Sequence, residues 1–146
     1  MEFSLDKVTY SSTAIRLDII EQNTPTEDTI TNAKLLWNNV VSKITIPYTI
    51  NSWYRCFKLN KAVGGSATSD HMIGASIDID SVDNKNNKAI FTFIKDNIKE
   101  FDQLIYQMGD DINPSWVHVS YRKRSNRKQI LRAFKENGKR RYKPYV

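Results

Sequence analysis

The chain has 146 residues, 40% hydrophobic and 26% charged, with a formal net charge of +6. That is the make-up of one soluble domain large enough to bury a core, and five Gly and four Pro exclude collagen-like or Pro/Gly-rich disordered chains. A single cysteine, Cys56, excludes an intrachain disulfide framework and a cysteine-based zinc cluster.

The first residues, MEFSLDKVTY, lack the basic and apolar regions of a secretory signal, and no apolar run is long enough to span a membrane. The expectation is a protein made in the cytoplasm without a signal peptide and without membrane insertion. Ser11-Ser12 caps a short helix over Thr13 to Ile20. Thr24-Pro25-Thr26-Glu27 reads as a capping box with Thr24 as N-cap, and Ile30, Ala33, Trp37, Val40, Val41 and Ile44 recur at helical spacing behind it. A helix over 25–42 is therefore expected, its stripe being core. Tyr48-Thr49-Ile50 reads as a short strand, and residues 56–68 as a loop or short helix closed by Gly64-Gly65. Ser76 to Asp80 alternates as a half-buried strand does. Asn86 to Lys99 is a second helix, with Ile90, Phe93, Ile94 and Ile98 on one side. Phe101 to Met108 and Trp116 to Tyr121 are strands, separated by a turn over Asp110 to Pro114.

Beyond Ser120 the charge changes character. Residues 121–146 hold 11 Lys and Arg against one acid, Glu136, whereas residues 1–120 are net acidic. Ser125 or Asn126 is expected to cap a last helix holding Ile130, Leu131 and Phe134, with Gly138 as its stop. Residues 1–138 then form one domain, and 139–146 a basic tail dispensable for folding. The tail can attract an anionic polymer, either wall polymer or nucleic acid. Helices first and short strands later, without βαβ alternation, give an α+β fold with helices on a small, mainly antiparallel sheet.

Both histidines stand in chemically suggestive company. On a strand, Trp116, His118 and Ser120 share one face, as do Asp78 and Asp80. If the two strands are neighbours, Asp78 and His118 converge, and Gly74 lets the chain turn between His71 and that strand. Two imidazoles and a carboxylate make a catalytic zinc site that leaves a position for water. Spacing alone is a weak signal for it.

The wider pattern is more specific. Ser52-Trp53-Tyr54-Arg55, Asn60 through Gly64-Gly65, Ser69-x-His71-x-x-Gly74-x-Ser76-x-Asp78 and Trp116-x-His118 occur in order. Together they resemble the zinc D-Ala-D-Ala carboxypeptidase and L-Ala-D-Glu endopeptidase family, which includes many phage endolysins. Tyr10 to Ala14, Asn23 to Pro25, Phe101 to Ile105 and Asn126 to Gln129 resemble a phage-encoded branch of it. The resemblance implies a Zn2+ site of His71, Asp78 and His118. It also implies a substrate role for Arg55, which holds a stem-peptide carboxylate or the oxyanion; the structural alternative is a salt bridge to an acid such as Asp80.

Such a peptidase needs a general base. Ser115 stands where the family commonly has Asp or Glu, and Gln107 occupies a second candidate position; neither side chain can take that proton. Asp110 or Asp111, in the turn before Pro114, is the remaining candidate, with Asp111 preferred. The expected function is hydrolysis of peptidoglycan stem peptides by a phage lysin, at the bacterial cell wall or as a virion component. The alternative is a catalytically weak or inactive virion-associated or nucleic-acid-binding protein on the same fold.

Overall fold

Strands that alternate apolar and polar residues need a partner layer on one face only, and helices supply it here. The computed structural model describes residues 2–146. In chain order the elements are α1 (Leu5–Thr9), α2 (Ser12–Arg16), α3 (Glu27–Asn39), β1 (Tyr48–Ser52), α4 (Phe57–Ala62), β2 (Ser76–Ser81), α5 (Asn87–Asn97), β3 (Gln103–Gln107), β4 (Trp116–Ser120), β5 (Gln129–Glu136) and β6 (Lys139–Pro144). The six strands form one sheet in the order β1-β2-β4-β3-β5-β6. All neighbours are antiparallel except β3 and β5. The fold is α+β, with a mostly antiparallel sheet as expected.

The buried face of the sheet carries Ile77, Ile79, Leu104, Tyr106, Val117 and Val119, all at most 1% exposed. Helix α5 covers it with Ile90, Phe91, Ile94 and Ile98. Phe91 belongs to this stripe and Phe93 is only half-buried, a one-residue difference from the expected face. The stripe of α3 is core as expected, through Ala33, Leu36, Trp37 and Val40, and Trp37 stacks on Trp53 at 6.1 Å between centroids. The first turn of α3 is capped by Thr26, whose hydroxyl accepts from the Thr29 amide, whereas Thr24 donates back to Glu21. The helix therefore starts two residues later than the capping-box reading, with Pro25 outside it and Glu27 and Asp28 facing its positive end.

The C-terminal region departs furthest from the sequence reading. The expected last helix is instead a hairpin of β5 and β6, and the expected tail over 139–146 is largely β6, an integral strand. Asn137 and Gly138 both adopt positive φ (53° and 76°), which gives the two-residue turn whose twist suits a hairpin. Ile130, Leu131 and Phe134 fit a helical stripe on paper, but β5 pairs in parallel with β3 from Gln103↔Gln129 to Gln107↔Ala133. Beyond β6, Tyr145 packs on Phe91 (4.7 Å) and stacks on Tyr106 (5.7 Å). The end of the chain thus closes one margin of the core.

Asp102 ties this region to the body. Its side chain is fully buried and accepts from the Arg127 amide, Nε and Nη2 at 3.2, 3.0 and 2.8 Å, and from Arg122 Nε at 3.0 Å. Burial works against its ionisation, but the two guanidiniums prevail and hold its pKa below the ordinary carboxylate value.

Two outcomes are expected. Tyr145→Ala costs about 1–2 kcal/mol and lowers Tm, and deletion of 139–146 costs more, both read by thermal unfolding. Asp102 binds fewer protons folded than unfolded, so its contribution is fully present above its unfolded pKa of about 3.9 and fades as pH falls through the lower folded value. Asp102→Asn therefore lowers Tm at neutral pH, and its gap from wild type narrows below about pH 4.

Candidate metal centre

The antiparallel register of β2 with β4 sets Asp78 directly opposite His118, on the face of the sheet away from α5. His118 Nδ1 lies 2.8 Å from Asp78 Oδ1. His71 comes from a 3₁₀ turn, Asp70–Ile73, whose N-cap Ser69 accepts from the His71 amide. It is 2% exposed, and its Nε2 lies 3.3 Å from Asp78 Oδ2. Burial opposes ionisation of Asp78, yet the adjoining His71 and His118 outweigh it and hold the carboxyl far below its usual range.

Backbone groups aim His71. Its Nδ1 lies 2.6 Å from the Trp53 carbonyl, an acceptor that keeps the proton on Nδ1 and leaves Nε2 with its lone pair turned to Asp78. The carbonyl of His71 accepts from the Arg55 amide at 3.0 Å. Gly74 ends the turn at φ +73°, where a Cβ would lie 2.6 Å from the Thr29 carbonyl oxygen. Trp53 Nε1 donates to the Gly74 carbonyl at 3.1 Å. Trp53 and Gly74, two positions of the sequence pattern, thus clamp the strand and the turn together.

One donor atom from each of His71, Asp78 and His118 lies within 4.8 Å of the others. The set fits a divalent metal: two neutral imidazoles and one carboxylate are the ligands of a three-protein-ligand zinc site, and the outer nitrogen of His71 already has its partner.

The three donors open onto a cleft of about 920 Å³. Arg55 lines it, mostly buried, and its Nε has no partner among the described residues. Burial pulls the Arg55 pKa down, Asp78 pulls it back up and Arg140 lowers it again. No salt bridge to Asp80 forms, because Asp80 instead accepts from Asn51 and Asn87. Asn60 donates to the Ser66 carbonyl, and a Cβ on Gly65 would fall 2.1 Å from Asn60 Oδ1 and 3.2 Å from Arg55 Nη1. Gly65 is what lets this loop close around the guanidinium.

Gln107 also faces the cleft, 4% exposed, with Oε1 unpartnered among the described residues. The expected base, Asp111, does not reach it. Tyr106 points to the α5 side of the sheet, and its hydroxyl donates to the Asp110 carbonyl. Arg132, the parallel neighbour of Tyr106, holds Asp111 at 2.5 Å on that side. The Asp110 carboxylate is occupied by the Ile112 and Asn113 amides. The turn before Pro114 therefore carries both acids away from His118. Ser115 provides backbone contacts to Gln107 and Asn87.

Lys135, Arg140 and Tyr142 line the same cleft from the β5–β6 hairpin. Sequence reading missed them because it made this stretch a helix and a tail. Asn137-Gly138 between two alternating runs is the signal that would have found them.

The Peptidase M15 family model matches residues 1–120. The chain belongs to that family, whose zinc peptidases include the D-Ala-D-Ala carboxypeptidases, and it is in class a metallopeptidase. No curated protein matches it. Among the described residues no helix is long and apolar enough to cross a membrane.

Zinc titration against a chromophoric competitor is expected to give one site per chain. His71→Ala and His118→Ala should each weaken it beyond the ~10–100-fold that loss of an outer-shell partner costs. Unchanged affinity in either variant would remove that histidine from the site.

Proposed function

We propose that the chain is a zinc-dependent hydrolase of the stem peptides of bacterial peptidoglycan, acting as a phage lysin at the cell wall. The observation that carries this reading is the convergence of His71, Asp78 and His118 beneath a cleft that also holds Arg55. The resemblance to phage endolysins supports the narrower role. Zinc held by these three residues would supply Lewis-acid polarisation of a peptide carbonyl.

The protein's own groups do the rest. The Trp53 carbonyl fixes the orientation of His71. Arg55, charged and short of a partner at Nε, binds a substrate carboxylate or the oxygen that gains charge during attack. Gln107 Oε1 accepts a hydrogen bond from a substrate N–H and so positions the peptide, but a neutral amide removes no proton. The carboxylates lining the cleft are Asp78, assigned to the metal, and Asp70, which lies 3.9 Å from Arg122. Turnover without a dedicated base is slow.

Gln107 also favours a second reading, in which the protein keeps the metal and binds peptidoglycan without cutting it. Incubation of purified protein with peptidoglycan, with and without zinc, followed by mass spectrometry of new peptide termini, separates the two. Zinc-dependent termini are expected, and their absence alongside retained wall binding would establish the second. Gln107→Glu is expected to raise hydrolysis by ~10²-fold or more while leaving zinc affinity nearly unchanged. A nucleic-acid role has little support, because the cations expected on a free arm are divided between the two faces of β6.

A further inference from the structure

The hairpin β5–β6 lies wholly beyond the stretch matched by the family, yet it builds one wall of the cleft. Lys135 and Arg140 are direct cross-strand partners on the cleft face. Two like charges in that position repel each other, a cost a sheet normally avoids. Neither forms an ion pair among the described residues, whose bridges use Arg122, Arg127, Arg132, Lys95 and the two histidines.

The opposite face of the same hairpin carries one ion-paired cation. There Arg132 has Asp111, and Lys143 lies 5.1 Å from the centre of the Phe134 ring. Arg132 on the far face thus has a carboxylate partner, whereas neither cation on the cleft face has an anionic partner among the described residues. Arg140 also lies 6.0 Å from the Trp116 ring centre, and Trp116 precedes His118 by two positions on the same face of β4. Its charge is felt by Arg55 across the cleft.

We propose that Lys135 and Arg140 form a carboxylate-binding wall that selects acidic peptides, holding a second carboxylate of the substrate while the scissile bond lies over His71, Asp78 and His118. This rests on the peptidase reading and adds to it a specificity element supplied by the C-terminal hairpin. Both residues are exposed on strands, so their substitution spares the core.

The test is calorimetric binding to zinc-loaded protein of a short peptide of Ala and D-Glu with free carboxylates, and of the same peptide with its carboxylates amidated. Wild type is expected to prefer the free acid by about tenfold at low salt, a preference that shrinks as salt is raised. The Lys135→Gln/Arg140→Gln double variant should lose most of the preference, Arg55 keeping the remainder, with Tm and zinc content unchanged, and Lys135→Arg should keep it in full. Equal binding of the two peptides by wild type, or a preference undiminished in the double variant, overturns the proposal and leaves the peptidase reading intact. Binding of neither peptide overturns the proposal, and zinc content of the same sample then decides whether the metal site fails with it. A single-stranded oligonucleotide that binds more tightly than the acid peptide, and alone loses affinity in the double variant, also overturns it by making the wall a phosphate-binding surface.

Discussion

The pairing of β2 with β4 is the constraint on which the site depends. With Asp78 opposite His118, the carboxylate and imidazole share a face, while Ile77, Ile79, Val117 and Val119 are driven into the core beneath α5. A slip of one residue would exchange the faces, burying the polar groups and exposing the four aliphatic side chains. The hydrophobic effect therefore fixes the register of the candidate metal ligands indirectly: the energy lies in the apolar face, and the polar face is placed as its consequence. His71 is the one donor that does not ride on this sheet, and its position comes from hydrogen bonds to the Trp53 carbonyl and from the left-handed turn at Gly74.

Much of this was legible in the sequence because it is governed by short-range rules. Alternation in Ser76–Asp80 and Trp116–Ser120 gave the strands and the shared face of Asp78 and His118, and the glycines at 65 and 74 stand where a Cβ would strike its neighbours. The carboxylate sought in the turn before Pro114 was a different matter. Which side of a sheet a turn leans towards is set by distant partners, here Tyr106 and Arg132, and no local pattern carries that information. The hairpin was missed for a related reason. Ile130, Leu131 and Phe134 are compatible with a helix, and only the parallel pairing of β5 with β3 decides otherwise.

Under the proposed reading, the hairpin serves stability and recognition together. Asp102 gathers Arg122 and Arg127 and so steers the chain from β4 into β5, while Tyr145 anchors the far end on Phe91 and Tyr106. Between these anchors the exposed cleft-facing side chains Lys135, Arg140 and Tyr142 contribute little to the core. They are available for contacts with a ligand, on a rigid support that holds them opposite Arg55.

The strand order leaves β1 and β6 as the margins of the sheet, each with a row of backbone groups open to other chains. Such margins are templates for intermolecular pairing unless something spoils them. On β6 the spoiling is chemical: Lys139, Arg140, Arg141 and Lys143 surround the backbone with positive charge, and Pro144 lacks the N–H a new neighbour would need. On β1 it is geometric, since the pairing with β2 loses its regular register between Ile50 and Ser52. The dense positive charge at the end of the chain therefore has a role that needs no ligand. Like-charge repulsion along β6 disfavours edge-to-edge pairing between copies.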